Sequence, residues 1–126
     1  MIDQPTLYDR AGGMPFFEAL VARFYADVST DPILRAIYPE ADLAPAQRRL
    51  TLFLAQYWGG PRTYDDERGH PRLRMRHFPF AIDGVARDRW LLHMRAAIAE
   101  MAPPPDVADA LERYMATAAE AMRNRD

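Results

Sequence analysis

The residue with the clearest potential for chemistry is His77, which follows arginines at positions 72, 74 and 76 and precedes a Phe-Pro-Phe break. A neutral imidazole is the commonest metal ligand in proteins. Leu73 lies four residues earlier on the same helical face, so an apolar wall is expected beside the ring. These features favour a buried cofactor that brings its own metal. A solvated arginine-rich surface that carries a histidine is the alternative, and spacing alone does not separate the two.

Three aromatic side chains with polar tips form a second candidate group: Tyr25, Tyr38 and Trp90. Their O–H and N–H groups need partners when they are buried. The chain uses phenylalanine at positions 16, 17, 24 and 53, where bulk alone is wanted. The polar tips therefore predict a shared acceptor, although core packing is the commoner role of an aromatic residue at helical spacing.

The other two histidines are expected to be structural. His93 follows Trp90 by three residues and lies at the edge of an apolar helical face. His70 precedes Pro71, which favours extended backbone and a role in fastening the loop before His77. A zinc site made by the protein needs three or four converging ligands. Three scattered histidines in a chain without cysteine do not offer that spacing.

Size and composition predict a single domain over residues 1–126. With 49% hydrophobic residues the chain can build one core. Its net charge of −2 argues against a nucleic-acid-binding protein. The sequence contains no apolar run long enough for a membrane span and no signal-peptide pattern at its start, so a cytoplasmic protein is expected. Without cysteine it can form no disulfide.

Apolar periodicity predicts an all-α fold with four substantial helices. The first begins near Pro15, the second near Pro45, the third after Asp83 and the fourth near Asp106. Tyr57 is expected on the inner face of the second helix, and Arg49 mostly outside it. Residues 61–70 are polar and contain glycine, which predicts a loop.

Several segments, in this order, resemble one known family over nearly the whole chain. The chain is similar to the group II truncated haemoglobins. The strings that carry the likeness are Phe24-Tyr25, Tyr38-Pro39-Glu40, FLAQYWGGP at 53–61, HPRLRMRHFPF at 70–80, and Trp90. The YWGGP and HPRLRMRH strings are the most specific of these.

The resemblance implies a shortened globin in which two helix pairs cross over haem b, a two-over-two sandwich. It implies that His77 is the proximal iron ligand and that Tyr25, Tyr38 and Trp90 are hydrogen-bond donors on the distal side. Leu50 takes an apolar distal position, and Ala46 falls where many globins carry a histidine, which implies an open side entrance for ligands. The remaining haem contacts that we expect are Arg49 and Arg76 at the propionates, Tyr64 as a weaker candidate there, and Leu73 and Phe53.

The function that the resemblance implies is tight binding of O2 and other diatomic ligands at a five-coordinate iron. Slow release would argue against bulk oxygen transport. The alternative is a redox enzyme, with nitric oxide dioxygenase or peroxidase activity, that depends on an external reductase. A helical interaction module without a cofactor is a third hypothesis. A homodimer is a further expectation, without a located interface.

Overall fold

A computed structural model describes residues 5–126, and these residues form eight helices. They are α1 (Leu7–Ala11), α2 (Met14–Thr30), α3 (Pro32–Arg35), α4 (Ala44–Tyr57), α5 (Thr63–Arg68), α6 (Leu73–His77), α7 (Gly84–Met101) and α8 (Pro105–Met122). The four long helices, α2, α4, α7 and α8, lie where the periodicity predicts them. No strand occurs within the described residues.

Local side-chain chemistry sets the helix ends. Thr6 and Asp9 form a capping box at the start of α1. The Asp31 carboxylate accepts from the first backbone N–H groups of α3, and the Asp83 carboxylate accepts from Ala86 N at 2.8 Å in α7. At the end of α7, Ala102 takes a left-handed conformation with φ 46° before the proline run that begins α8.

The four long helices pack as two pairs around one core. Helix α2 packs against α4 and α7, and α7 packs against α8. Phe17, Leu20 and Phe24 of α2 and Met94 of α7 are completely buried. Removing a large apolar side chain from water stabilises the folded chain by roughly 1.5–3 kcal/mol, so this region anchors the elements that surround the site.

Residues 61–70 are not simply a loop, and that prediction is wrong. Helix α5 occupies residues 63–68, and its first turn carries Asp65 and Asp66, which suit the positive end of a helix dipole. The Gln56 side chain holds this turn through two hydrogen bonds of 2.9 Å. Its Nε2 donates to the Asp65 carboxylate, and its Oε1 accepts from the backbone N–H of Asp65. Gly69, with φ 74°, ends the helix.

Tyr57 does not lie on the inner face of α4. It is 52% exposed, and its ring packs at a tilt of 33° against Tyr114 of α8, with a centroid distance of 4.1 Å. Tyr57 is the last residue of α4, so its ring lies at the helix end and stays about half exposed.

The Gly59-Gly60 turn seats the first helix against the end of α4. A Cβ on Gly60 would lie 2.6 Å from the Tyr8 ring and 2.8 Å from the Ala55 carbonyl oxygen. The Tyr8 N–H donates to the Trp58 carbonyl at 3.0 Å. Glycine, which has no side chain, allows α1 to approach the end of α4 this closely.

Among residues 5–126, no helix combines the length and apolar character that crossing a membrane requires.

Candidate functional site

A cavity of about 470 Å³ lies between the long helices and reaches α6. This volume is within the range of pockets for small molecules and cofactors. Every residue that the sequence singles out for the site lines it. They are Tyr25, Tyr38, Ala46, Arg49, Leu50, Phe53, Tyr64, Leu73, Arg76, His77 and Trp90. The fold therefore brings together side chains that lie up to 65 positions apart in the sequence.

His77 enters the cavity with one ring nitrogen already engaged. Its Nδ1 lies 2.6 Å from the Leu73 carbonyl oxygen, one helical turn back. A carbonyl can only accept, so Nδ1 carries a proton, and in the neutral ring Nε2 keeps its lone pair. The Asn124 side chain fixes the chain after the helix by donating to the carbonyls of His77 at 3.2 Å and Phe80 at 2.8 Å. The imidazole is thus held in one tautomer and one orientation.

The three polar-tipped aromatics also line the cavity and contact one another. Tyr25 Oη donates to Tyr38 Oη over 3.4 Å, and their rings meet edge to face. Burial raises the pKa of Tyr25, and the neighbouring Tyr38 raises it further. Burial also raises the pKa of Tyr38, against the opposing effect of hydrogen bonds from Tyr25 and Trp90. Both phenols therefore stay protonated at neutral pH and remain donors.

The arginines that line the cavity have protein partners. Arg49 Nη2 donates to Glu40 Oε1 at 2.9 Å. A backbone hydrogen bond and then this arginine lower the pKa of Glu40, so its carboxylate is ionised. Arg76 donates from Nε to the Pro71 carbonyl at 2.7 Å and from Nη2 to the Arg68 carbonyl at 3.0 Å. Each arginine is therefore held in place at the cavity, with N–H groups that these bonds do not use.

Several lining residues were not identified from the sequence. Met115, Ala119 and Met122 of α8 line the cavity, together with Phe80 and Ile82 of the loop before α7. The three α8 positions follow the i, i+4, i+7 spacing of one helical face. This spacing could have marked the face, but it does not tell a pocket wall from ordinary core.

A buried ionic cluster lies outside the cavity, around Asp31. The Asp31 side chain is 1% exposed, and its Oδ2 accepts from Arg89 Nε at 2.6 Å and from His93 Nε2 at 2.7 Å. Burial alone would raise the pKa of Asp31, but hydrogen bonds from His93, Arg89 and the α3 backbone lower it well below its usual value. The cluster joins α3, which leads to Tyr38, to the α7 turn that carries Trp90.

His93 and His70 lie away from the cavity lining. His93 belongs to the Asp31 cluster. His70 Nδ1 accepts from the backbone N–H of Arg72 at 3.1 Å, in the loop that leads into α6. Both contacts are structural, as the sequence had led us to expect.

Comparison with known proteins gives consistent likenesses. The sequence profile of the family described as bacterial-like globin matches residues 6–124. The chain is 43% identical over 86 residues to the group 2 truncated hemoglobin YjbI of Bacillus subtilis. The aligned region covers 68% of this chain and 64% of that protein. It is 34% identical over 99 residues to the two-on-two hemoglobin-3 of Arabidopsis thaliana, and this aligned region covers 77% of this chain and 56% of that protein. The chain therefore spans less than two thirds of the length of these relatives.

Solved structures match along almost their full length. The thermostable hemoglobin of the actinobacterium Thermobifida fusca superposes with a TM-score of 0.94 at 56% identity, over 95% of this chain and 98% of that one. The group II truncated hemoglobin of Bacillus anthracis superposes with a TM-score of 0.92 at 37% identity, over 98% of this chain and 95% of that one. These likenesses confirm the predicted two-over-two helical sandwich.

Proposed function

The chain belongs to the bacterial-like truncated globins, and on that premise we propose that it is a haem protein that binds O2 and other diatomic ligands. The observation that carries the proposal is the convergence on one cavity of an oriented imidazole and a group of neutral hydrogen-bond donors.

The residues of the cavity fit a haem b group. Its walls are largely apolar, as Leu50, Phe53 and Leu73 illustrate, and a porphyrin ring needs such surroundings. Arg49 and Arg76 supply cations that suit two propionates. When bound, the haem would supply the iron at which a diatomic ligand binds.

His77 is the residue that we propose as the iron ligand. Its Nδ1–H donates to the Leu73 carbonyl at 2.6 Å, which leaves Nε2 free and increases the electron density of the ring. The same hydrogen bond prevents the ring from rotating about its axis. Asn124 holds the following backbone, so the imidazole needs little rearrangement to bind a metal.

Tyr25, Tyr38 and Trp90 are proposed to hold the diatomic ligand. Burial keeps both phenols protonated, so each has one hydrogen to donate. The Tyr38 hydrogen can reach a ligand that carries partial negative charge, and the Tyr25 hydrogen can do so if it turns from Tyr38. A neutral hydrogen bond contributes roughly 0.5–1.5 kcal/mol. Two or three such bonds would slow ligand release by about 10- to 1000-fold, since about 1.4 kcal/mol corresponds to a factor of ten. Slow release favours a role in ligand capture or redox chemistry over oxygen delivery.

Ala46 and Leu50 are proposed to shape the path of the ligand. Ala46 is buried and lines the cavity on α4, where its methyl group leaves more room than an imidazole would. Leu50, one turn further along α4, adds an apolar surface that makes no hydrogen bond to the ligand. Ligand capture would then depend on the three aromatic donors alone.

The edge of the haem would be held by residues that already have partners. Arg49 would shift from Glu40 toward a propionate or bridge both carboxylates, because its guanidinium offers five N–H donors. Arg76 keeps its contacts to Pro71 and Arg68 and offers its remaining N–H groups. Tyr64 is buried beside Phe53, with ring centroids 5.5 Å apart, and completes this side.

Titration of the purified protein with hemin tests the proposal. We expect stoichiometric uptake with a sharp Soret band, followed after reduction by a stable spectrum of the O2 complex in air. Protein that stays colourless in excess hemin would instead support a helical interaction module without a cofactor.

A further inference from the structure

The segment around α6 concentrates positive charge in a chain whose net charge is −2. Residues 68–82 contain four arginines and none of the 18 acidic residues of the chain. The chain has no lysine, and the four arginines of this segment keep their charge throughout the physiological pH range. The segment is therefore a permanent local cation on a protein of opposite overall charge.

The same segment exposes apolar side chains. Met75 is 60% exposed and Phe78 is 67% exposed, and both line a shallow groove with Arg74 and Pro79. We call these four residues, together with the exposed Arg72, the cationic face. Within residues 5–126, neither Arg74 nor the neighbouring exposed Arg72 forms an ion pair. An apolar centre beside unpaired cations is a feature of surfaces that bind a partner.

The cationic face is close to the proposed iron ligand, and hydrogen bonds from Asn124 hold the backbone near it. Met75 and Phe78 lie on either side of His77 in the sequence, and the ring of His77 lines the cavity. The Asn124 backbone N–H donates to the Ile82 carbonyl at 2.9 Å, and its side chain holds the carbonyls of His77 and Phe80. A partner on this face would therefore sit next to the proximal side of the haem pocket.

We propose that the cationic face docks an acidic electron-donor protein that carries an iron–sulfur or flavin group. The inference rests on the proposed function, because a haem protein that turns over a ligand must be returned to the ferrous state. In that step the reduced donor loses one electron and the ferric haem gains it. Opposite charges would steer the encounter, and Met75 and Phe78 would provide the dry contact at its centre.

Two other occupants fit the observations less well. A second copy of this chain would place one cationic face against another in a two-fold contact, which brings like charges together. An anionic membrane would attract Arg72 and Arg74, but the cationic face offers only two large apolar side chains for insertion, Met75 and Phe78. Both occupants are outcomes that the experiment can recognise.

The experiment measures reduction of the ferric holoprotein by an acidic plant-type [2Fe–2S] ferredoxin, kept reduced by its NADPH-dependent reductase. Arg74→Glu reverses a charge on the cationic face. Arg113→Glu is the matched control, because Arg113 is 81% exposed on α8 and is not one of the residues that line the groove. We expect Arg74→Glu to lower the second-order rate constant by about tenfold at low ionic strength, and the loss to shrink in high salt.

A second readout is the dissociation constant for oxidised ferredoxin, which is independent of turnover. Phe78→Ser should weaken this binding at every salt concentration, while reduction by photoreduced deazaflavin, a small reagent, stays unchanged. Equal rates for Arg74→Glu and Arg113→Glu would overturn the proposal. So would binding to phosphatidylserine vesicles or salt-resistant dimerisation through the face in place of ferredoxin binding. A normal Soret band in these variants shows that the proposed haem function stands even where docking fails.

Discussion

Replacing Asp31 with asparagine tests how the fold supports the distal side of the cavity. Asparagine keeps an oxygen that can cap α3, but it removes the carboxylate that Arg89 and His93 share at 2.6 and 2.7 Å. Breaking a buried ionic contact costs about 3–5 kcal/mol when a charge stays buried without its partner. Arg89 is 41% exposed and can turn to water, so we expect a loss near the lower end, about 3 kcal/mol.

The assay is equilibrium urea unfolding at pH 7, with Asp109→Asn as the control. Asp109 forms an exposed ion pair with Arg113, so its replacement should cost less than about 1 kcal/mol. The pKa of Asp31 is lowered in the folded state, so its contribution is complete above its unfolded pKa of about 3.9 and is lost as pH falls below it. The stability gap between the native protein and Asp31→Asn should therefore narrow below about pH 4. Equal costs for Asp31→Asn and Asp109→Asn, or a gap that is constant in acid, would refute this reasoning.

Two further predictions concern the ligand. Trp90→Phe keeps most of the bulk and removes one donor, so O2 dissociation should accelerate by about 2- to 10-fold in a flash or stopped-flow measurement. As a control, Tyr114→Phe removes a hydroxyl from the α8 side of the cavity and should leave the O2 dissociation rate unchanged. Equal dissociation rates for Trp90→Phe and the native protein would exclude a donor role for the indole. If the protein is a nitric oxide dioxygenase, its oxygenated form supplied with a reductase should consume many equivalents of nitric oxide per haem. Consumption of a single equivalent, with no turnover of peroxide, would leave ligand binding as the function.

The elements of the fold that follow local rules could be predicted from the sequence. The starts of three long helices are predicted by Pro15, Pro45 and Asp83, and the apolar periodicity of each helix predicts its buried face. Helix α5 could not be predicted from its local sequence, because the Gln56 side chain of α4 holds its first turn. Tyr57 has the periodicity of a core residue, but it is the last residue of α4, and Tyr114 of α8 covers only part of its ring.

The cavity could be predicted where a residue type carries its own chemistry. His77 and the three polar-tipped aromatics stand out by type, and the family likeness brought in neighbours such as Ala46 and Tyr64. The α8 wall could not be assigned, because methionine and alanine on a helical face look the same in a core and in a pocket. The Asp31 cluster depends on partners 58 and 62 positions away, a separation that no local pattern reports.

The most direct test of the central claim is the absorption spectrum of the ferrous CO complex in His77→Ala, with His70→Ala as the matched control. His70 is an exposed histidine in the loop just before α6 and does not line the cavity. We expect His77→Ala to lose the spectrum of a histidine-ligated haem and to recover it when imidazole is added, while His70→Ala keeps the native spectrum. An unaltered spectrum in His77→Ala would contradict the account.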